Sequence, residues 1–467
     1  MSNQFPGDFS LKEVNLYNIS QQEKEPYEIK SLVREINIYE SVFSSVLQAT
    51  LLVQDIGENL ISDMPMMGQE RIEIIIDSGG QRCILNFYLY RIDGRVMQEK
   101  DQYYVMNCMS IEGLRNENYR ICERVDGIKS EDLVKDILKR DSFSPKKVDV
   151  DETNEPFDIY VPNWRIFDLF QWLSKRSVPA YKKDSIGFLF YETFAGFNFK
   201  SIDNLFDQSP YPDNSVTYKY FQGNMTSIDK GLDDLERYRI MNFSSPRMFD
   251  LHHDLRRGAF SHDSIYLDLN RRIYRTFRTT ADDFWDNSSH LEKAKPYVSG
   301  GGNTPAQILA RSSRTIYRPS VRGNFGPWEE TDGVSGGQGG NKSRYSSGVS
   351  QKGKDYVDPV NKDFEKAFYR YYFLEYSQLD IGVPGDLDLR AGSVINVSIP
   401  TTTKSSDGKV KEDTRFSGKY CVTAVKHTIL NKSELRTNIT LARDSYGGKM
   451  IPDVTKSEEQ VYQDGTN

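Results

Sequence analysis

Gly68-Gln-Glu-Arg-Ile-Glu-Ile-Ile-Ile76 is the stretch that decides the fold. Ile72, Ile74 and Ile76 alternate with Glu73, Ile75 and Asp77, the two-residue period of a strand with one buried face. Asp77-Ser-Gly-Gly80 is a turn, and Ile84-Leu-Asn-Phe-Tyr-Leu-Tyr-Arg-Ile92 resumes as a second strand. Working outward, Tyr103 to Ile111 reads as a third. Upstream, Ala49, Leu51 and Val53 alternate with Thr50, Leu52 and Gln54. Short strands separated by Gly, Asp and Asn turns predict an antiparallel barrel or sandwich from Lys12 to about Glu112.

A later stretch has the same plan. Gly392-Ser-Val-Ile-Asn-Val-Ser-Ile399 again sets a glycine before an Ile/Val strand. Gly418 to Ile429 follows, and Leu435, Thr437, Ile439 and Leu441 alternate cleanly. Tyr104-Val-Met-Asn-Cys-Met-Ser-Ile111 and Leu435-Arg-Thr-Asn-Ile-Thr-Leu-Ala442 match as third strands. The match needs a one-residue shift in the first strand, and a shift of one reverses the buried face. An internal repeat and two unrelated meanders therefore both fit. The region from Lys362 to about Asp444, with its aromatic-rich Phe368 to Tyr376, is read as β.

The intervening chain changes period. Ser130 is placed to cap a helix with Glu131 and Asp132 in its first turn, and Leu133, Val134, Ile137 and Leu138 recur at helical spacing. Asn163 is placed to cap a second helix with Ile166, Leu169, Phe170 and Leu173 on one face, stopped by Pro179. Gly187 to Tyr191 and Gly196 to Phe199 read as a hairpin about Ala195-Gly196. A helix is expected near Ile228 to Leu235, and a strand where Ile265, Leu267 and Leu269 alternate with polar residues. Ser299 to about Tyr356 holds Gly300-Gly-Gly302 and a Gly-rich run at 333–340; too apolar-poor to offset its ordering entropy, it is read as a mobile loop or arm.

Composition narrows the function. The 467 residues carry a net charge of -7, which argues against a general nucleic-acid binder, because neutralising phosphates needs surplus Lys and Arg. Aromatic residues make up 12%, with 28 Tyr and 25 Phe, a bias toward strands and large interfaces. Cys83, Cys108, Cys122 and Cys421 have no CxxC spacing and read as reduced and mostly buried, which suits assembly in a cytoplasm. No run of eighteen apolar residues predicts a membrane span, and Met1 to Ser10 lacks the pattern of a signal peptide.

Motifs for chemistry are sparse, and we assign no catalytic, cofactor-binding or metal residue. His252, His253 and His262 lie near Asp250, Asp254 and Asp263, without metal-ligand spacing, and read as a polar surface cluster; His290 and His427 are isolated. We assign no nucleophile elbow, since the GxSxG string Gly333-Val-Ser-Gly-Gly337 falls in the Gly-rich run, and no phosphate-binding glycine loop. Asp233-Asp234-Glu236 and Asp282-Asp283 could serve a glycosidase, but 67 acidic residues guarantee such pairs by chance. Arg271, Arg272, Arg275 and Arg278 form the densest basic cluster; a solvated or intersubunit ion-pair face, an acidic neighbour protein and DNA are the readings, in falling order.

In order along the chain, several stretches resemble one family. Ile36-Asn-Ile-Tyr-Glu-Ser-Val-Phe43, Ala49-Thr-Leu-Leu-Val-Gln-Asp55 and Met67 to Ile76 resemble the N-terminal barrel of central baseplate hub proteins of T-even-like contractile-tailed bacteriophages, related to the hub part of type VI secretion spikes. Val161-Pro-Asn-Trp-Arg-Ile-Phe-Asp168, Trp172 to Ser177, Gly187 to Thr193 and Phe199 to Leu205 are similar to their middle domain. Gly392 to Ser445, ending Ile439-Thr-Leu-Ala-Arg-Asp-Ser445, is similar to their second barrel. The resemblance implies a non-enzymatic homotrimer without cofactors, in which two barrels per chain form a ring of six. Such a ring would join a sixfold tail tube or tube-initiator protein to a threefold tail spike protein. It would surround a channel for the tape measure protein and for DNA in transit. Baseplate wedge proteins would surround it in the virion tail, after assembly in the host cytoplasm.

The expected fold is α+β and β-rich: two tube-protein-like antiparallel β-barrel domains, an inserted α+β middle region and a Gly-rich loop. The boundaries are 1–112 for the first barrel, 113–215 for the middle domain and 216–298 for a mixed segment. The Gly-rich arm follows at 299–361, the second barrel at 362–446 and a polar tail at 447–467. Rival readings are the hub of another contractile injection system, a tail-associated cell-wall hydrolase and a carbohydrate-binding tail protein. The polar tail, with no repeat-rich β-helix, favours a separate spike over a fused one.

Overall fold

The computed structural model describes residues 9–18, 26–56, 60–64, 66–78, 81–98, 101–182, 185–220, 237–268, 273–297, 312–320, 359–404 and 410–447. The protein is β-rich, and its largest feature is a 14-stranded sheet. Twelve of those strands are numbered here in chain order. The first six are β1 (Phe9–Tyr17), β2 (Val33–Ser41), β3 (Gln48–Ile56), β4 (Arg71–Ser78), β5 (Gln81–Gln98) and β6 (Asp101–Met109). The second six are β7 (Tyr218–Tyr220), β8 (Asn242–Arg247), β9 (Ser377–Pro384), β10 (Val394–Ser398), β11 (Gly418–Leu430) and β12 (Glu434–Arg443).

The two sets have one strand order. In the first, neighbours run β2-β3-β6-β5-β4-β1, all antiparallel. In the second they run β8-β9-β12-β11-β10-β7, antiparallel except for the parallel β7–β10 pair. Each strand in one path thus has its counterpart six numbers later. Registers agree too: Arg71, Tyr88 and Met109 lie side by side in the first block, as Val394, Cys421 and Ala442 do in the second. The repeat suspected from Gly68 and Gly392 is therefore a repeat of topology. Each block buries its own apolar face, the first around Ile36, Leu51, Ile72, Ile74 and Met106, the second around Ile381, Ile395, Val397, Val425 and Ile439. At about 1.5–3 kcal/mol per fully buried aliphatic side chain, these faces are the main local driving force.

Between the blocks lies an α+β segment with its own core. Helices Ser130–Lys139 and Ile166–Ser174 pack Leu133, Ile137, Leu169 and Phe170 against the hairpin Phe188–Thr193/Gly196–Ser201. The Phe170 and Phe190 rings meet at 4.7 Å. Three local expectations shift. Ser130 is the first helical residue, and Lys129 occupies the cap in extended conformation. Asn163 turns left-handed at φ 56°, so Trp164-Arg165 can pair with Arg120-Ile121 before the helix begins at Ile166. In the hairpin, Thr193 faces Gly196, so the turn is Phe194-Ala195.

The chain divides into two compact units, 1–249 with 287–297 and 371–467, and 250–286 with 298–370. In the second, strand Ser261–Asp268 pairs antiparallel with Ile273–Thr280 and parallel with Thr315–Ser320. That last strand falls in the segment read as a loop, where Thr315, Ile316 and Tyr317 favour extended chain. The division falls within helix Pro359–Leu374, which corrects the β reading of 362–374. Glu365, Lys366 and Ala367 are good helix formers, and Ala367, Arg370 and Leu374 are buried at helical spacing. The expected helix at 228–235, the Gly-rich runs at 300–302 and 333–340, and the tail beyond residue 447 lie outside the described residues.

Candidate assembly interface

Two strands from the two blocks meet edge to edge within one chain. β2 pairs antiparallel with β11 from Glu35↔Leu430 to Ser41↔Ala424, which makes one continuous sheet of both blocks. The N–H of Val42 donates to Thr423 O at 2.9 Å, and the N–H of Asn431 donates to Arg34 O at 2.9 Å. Ile36 and Ile429 stand opposite each other, both buried. Ile429, Leu435 and Leu387 belong to the core of the first block, although the second block supplies them. The Thr428 hydroxyl donates to Asn37 Oδ1 at 2.9 Å across the seam.

Buried carboxylates tie this seam to the middle segment. Glu40, on β2, accepts the N–H of Phe194 at 2.8 Å and of Ala391 at 3.0 Å. One carboxylate thus binds the first block, the middle hairpin and the loop before β10. Burial pushes its pKa above the ordinary glutamate value, against the pull of the Arg390 guanidinium. Glu192, on the hairpin, accepts the N–H of Leu47 at 2.8 Å and the Ser110 hydroxyl at 2.6 Å. Lys146 bonds to Glu192 and, at 2.7 Å, to Glu112. Burial raises the Glu192 carboxyl, while Lys146 lowers it. Burial works against the Lys146 ammonium, but the two carboxylates outweigh it and hold its pKa above the ordinary lysine value. Charged hydrogen bonds buried in this way specify one docking geometry, since a misdocked carboxylate would sit unpaired.

Residues singled out by sequence have other places. His427 lies on β11 opposite Ile38 and is buried, its Nδ1 3.1 Å from the Thr437 hydroxyl; burial lowers its pKa to about 3. His290 pairs with Asp444, 2.6 Å from Nδ1 to the carboxylate. His262 is not part of a surface cluster: it is buried, with Nδ1 2.9 Å from the Tyr369 hydroxyl. Asp250 accepts the N–H of His253 at the start of helix Leu251–Arg257, which contains His252. Among the described residues no group of His, Cys, Asp and Glu is arranged to hold a metal ion. Asp283 accepts the N–H of Thr280, a capping role. Asp233, Asp234, Glu236, Arg271 and Arg272 lie outside the described residues. Arg278 pairs with Asp263 at 2.9 Å, and Arg275 is on the same strand, Ile273–Thr280. All four cysteines are free, with Cys108 and Cys421 buried and Cys122, against expectation, exposed. No helix among the described residues is long and apolar enough to cross a membrane.

The fold is shared with a phage tail protein. It is similar to the 43 kDa tail protein of prophage MuSo2 from Shewanella oneidensis, with a TM-score of 0.50 and 11% identity over 93% of this chain and 99% of that one. The tail protein from Neisseria meningitidis MC58 also matches, with a TM-score of 0.49 and 11% identity over 94% and 98% of the two chains. Prophage tail protein gp18 from Listeria monocytogenes EGD-e matches at 0.43 and 8% over 97% and 99%. No family model matches the chain, and no curated protein matches its sequence.

Proposed function

We propose that this chain is the structural hub of a contractile phage tail, a homotrimer that joins the sixfold tail tube to the threefold spike. The observation that carries this reading is the strand order repeated within one chain, in a fold shared with a phage tail protein. Two alike blocks in each of three chains present six alike surfaces on a ring and three of everything else. That arithmetic removes a symmetry mismatch that an unrepeated chain could not bridge. The buried carboxylate knot around Glu40 and Glu192 suits a part that must hold its shape under load.

On this reading the ring encloses a channel for the tape measure protein and for DNA in transit. Baseplate wedge proteins surround it, and it is assembled in the host cytoplasm into the virion tail. The chain works by binding, without catalysis. Absolute mass by light scattering behind size-exclusion chromatography, alone and with the spike protein of the same tail, tests it. A trimer, or a three-to-three complex with the spike, is expected. A chain that stays monomeric beside every tail partner overturns it, as does clearing of peptidoglycan in a zymogram.

A further inference from the structure

β11 uses one of its edges twice. Gly418 to Cys421 pair with β10, and Ala424 to Leu430 pair with β2 of the other block. Its counterpart β5 uses the same edge once. Gln81 to Tyr88 pair with β4, and Leu89 exchanges backbone bonds with Gln69 and Glu70. From Tyr90 to Gln98 the only strand paired with β5, among the described residues, is β6 on the opposite edge. β8, the counterpart of β2, pairs among the described residues with β9 alone. One chain therefore contains one filled junction and the two halves of a second, on different blocks. An open edge leaves backbone donors and acceptors available for strand addition.

The register identifies which side chains would meet. Gln98 faces Asp101 and Met97 faces Gln102 at the end of the β5–β6 hairpin, as Leu430 faces Glu434 and Ile429 faces Leu435 in β11–β12. Phe243 faces Ile381, which faces Ile439, as Ile36 faces Leu51, which faces Met106. So Met97 stands where Ile429 stands, and Phe243 where Ile36 stands. Ile36 and Ile429 are buried against one another's strands, whereas Met97 is 67% exposed and Phe243 37%. Val96, the counterpart of Thr428, is 50% exposed. Met97 and Val96 are thus exposed, and Phe243, packed edge to face on Tyr220 at 4.9 Å, partly exposed, at the places where the filled junction hides its own side chains.

We infer that β8 of a second copy of this chain adds antiparallel to the open edge of β5, setting Phe243 of the second copy opposite Met97 and Ser244 of the second copy opposite Val96. Pro246 has no N–H to donate, so the added ladder is confined to about 242–245. The contact is head-to-tail: every copy offers β5 to one neighbour and β8 to the other. Contacts of that kind close into a ring when the rotation from copy to copy divides the circle, as a third of a turn does here on the hub reading. Each junction between copies then repeats the junction inside a copy, so blocks follow one another around the ring at like spacing. The inference rests on the reading of the chain as a ring-forming hub and names the surface that closes it.

The test uses the full chain with Cys122→Ser, which removes the exposed native thiol, and adds Val96→Cys and Ser244→Cys. This pair is the counterpart of Thr428 and Asn37, whose side chains touch across the filled junction. Mild oxidation is expected to give covalent dimers and trimers on a non-reducing gel from the double variant and none from either single one. Separately, Met97→Lys, a charge on an exposed hairpin end, is expected to raise the dissociation constant of the assembly by about a hundredfold or more, with an unchanged circular dichroism spectrum. A trimer in which the cysteine pair never cross-links, or whose mass survives Met97→Lys, overturns this inference and leaves the hub standing. A wild-type chain that is monomeric at every concentration and beside every tail partner overturns both.

Discussion

Gln69 and Gly392 occupy one position in the two blocks: each has a left-handed backbone, at φ 91° and φ 90°, and each donates its N–H to the matching residue of the neighbouring strand, Leu89 O at 2.7 Å and Val422 O at 2.8 Å. The return bonds match too, from Leu89 N to Glu70 O and from Val422 N to Ser393 O. Gly68, left-handed at φ 82°, is the extra residue in the first block, and it accounts for the one-residue offset in the sequence match. The sequence pairs glycine with glycine; the backbone pairs Gly392 with Gln69.

Substitutions at this pair should act with opposite signs. Gly392→Ala puts a Cβ into the Tyr191 hydroxyl, with Tyr191 Cζ at 3.0 Å, and takes on a left-handed penalty of about 1–2 kcal/mol. Its urea midpoint should fall. Gln69→Gly relieves that penalty and should raise the midpoint, by up to about 1 kcal/mol after the entropy that glycine adds to the unfolded chain. Equal losses from both would show that the shared geometry carries no strain.

Lys146→Met should be among the most damaging changes outside the sheet. It leaves Glu112 and Glu192, both fully buried, without their cation and should cost about 3 kcal/mol or more. Removing one of the two unpaired charges with Glu192→Gln in the same chain should return part of that loss. Equilibrium unfolding of the two variants measures it, and an additive second loss would contradict the pairing.

The Glu40 carboxyl has a folded pKa above its unfolded one. As pH rises from the ordinary glutamate value through the folded one, the unfolded chain releases this proton first. The group therefore contributes stability at low pH and loses it on the way up. The stability difference between wild type and Glu40→Gln should accordingly be most favourable to wild type near the ordinary glutamate value and shrink toward neutrality. A difference that grows with pH would refute the assignment.

His427 works in the other direction. Its folded pKa is lowered to about 3, so below the ordinary histidine value only the unfolded chain takes up the proton. Stability is complete above that value and is lost as pH falls toward 3, at about 1.4 kcal/mol per pH unit from this group. His427→Leu should flatten the acid limb of the stability profile. Glu40 and His427 both sit on the β2–β11 seam, and just above the ordinary glutamate value their slopes oppose each other, because one pKa is raised and the other lowered.

Truncation at the seam should damage a block other than the one mutated. Ile429 is a residue of the second block in the core of the first, and Ile429→Ala should cost about 2–5 kcal/mol. Hydrogen exchange should show lost protection in β2 and β3 as well as in β11. Loss confined to β11 and β12 would mean that the blocks are energetically separate.

Much of the fold was legible because its signals are short in sequence. The two-residue period of Ile72, Ile74 and Ile76 marks β4, and Leu133, Val134, Ile137 and Leu138 mark a helix that forms at Ser130–Lys139. The hairpin followed from glycine and alternation, with its turn one residue earlier than the Ala195-Gly196 read from sequence. The aromatic run at 368–374 misled, because Phe and Tyr serve a strand face or a helix face equally, and helical spacing of the buried positions made the choice. Glu40 and Glu192 gave no signal, since their partners are distant in sequence: Leu47, Ser110 and Lys146 lie 145, 82 and 46 residues from Glu192, and Phe194 and Ala391 lie 154 and 351 from Glu40.

By itself, then, the sequence determined most of the strands and helices and raised an internal repeat of two β blocks as one of two fits. Only the tertiary structure decided that β2 meets β11, that β5 and β8 have unpaired edges among the described residues, and that Met97 and Phe243 are more exposed than their counterparts Ile429 and Ile36. The physical reason is that strands join through backbone N–H and C=O groups, which every residue but proline carries in full. Side-chain periodicity says which face of a strand is buried, but it says nothing about which edge has found a partner.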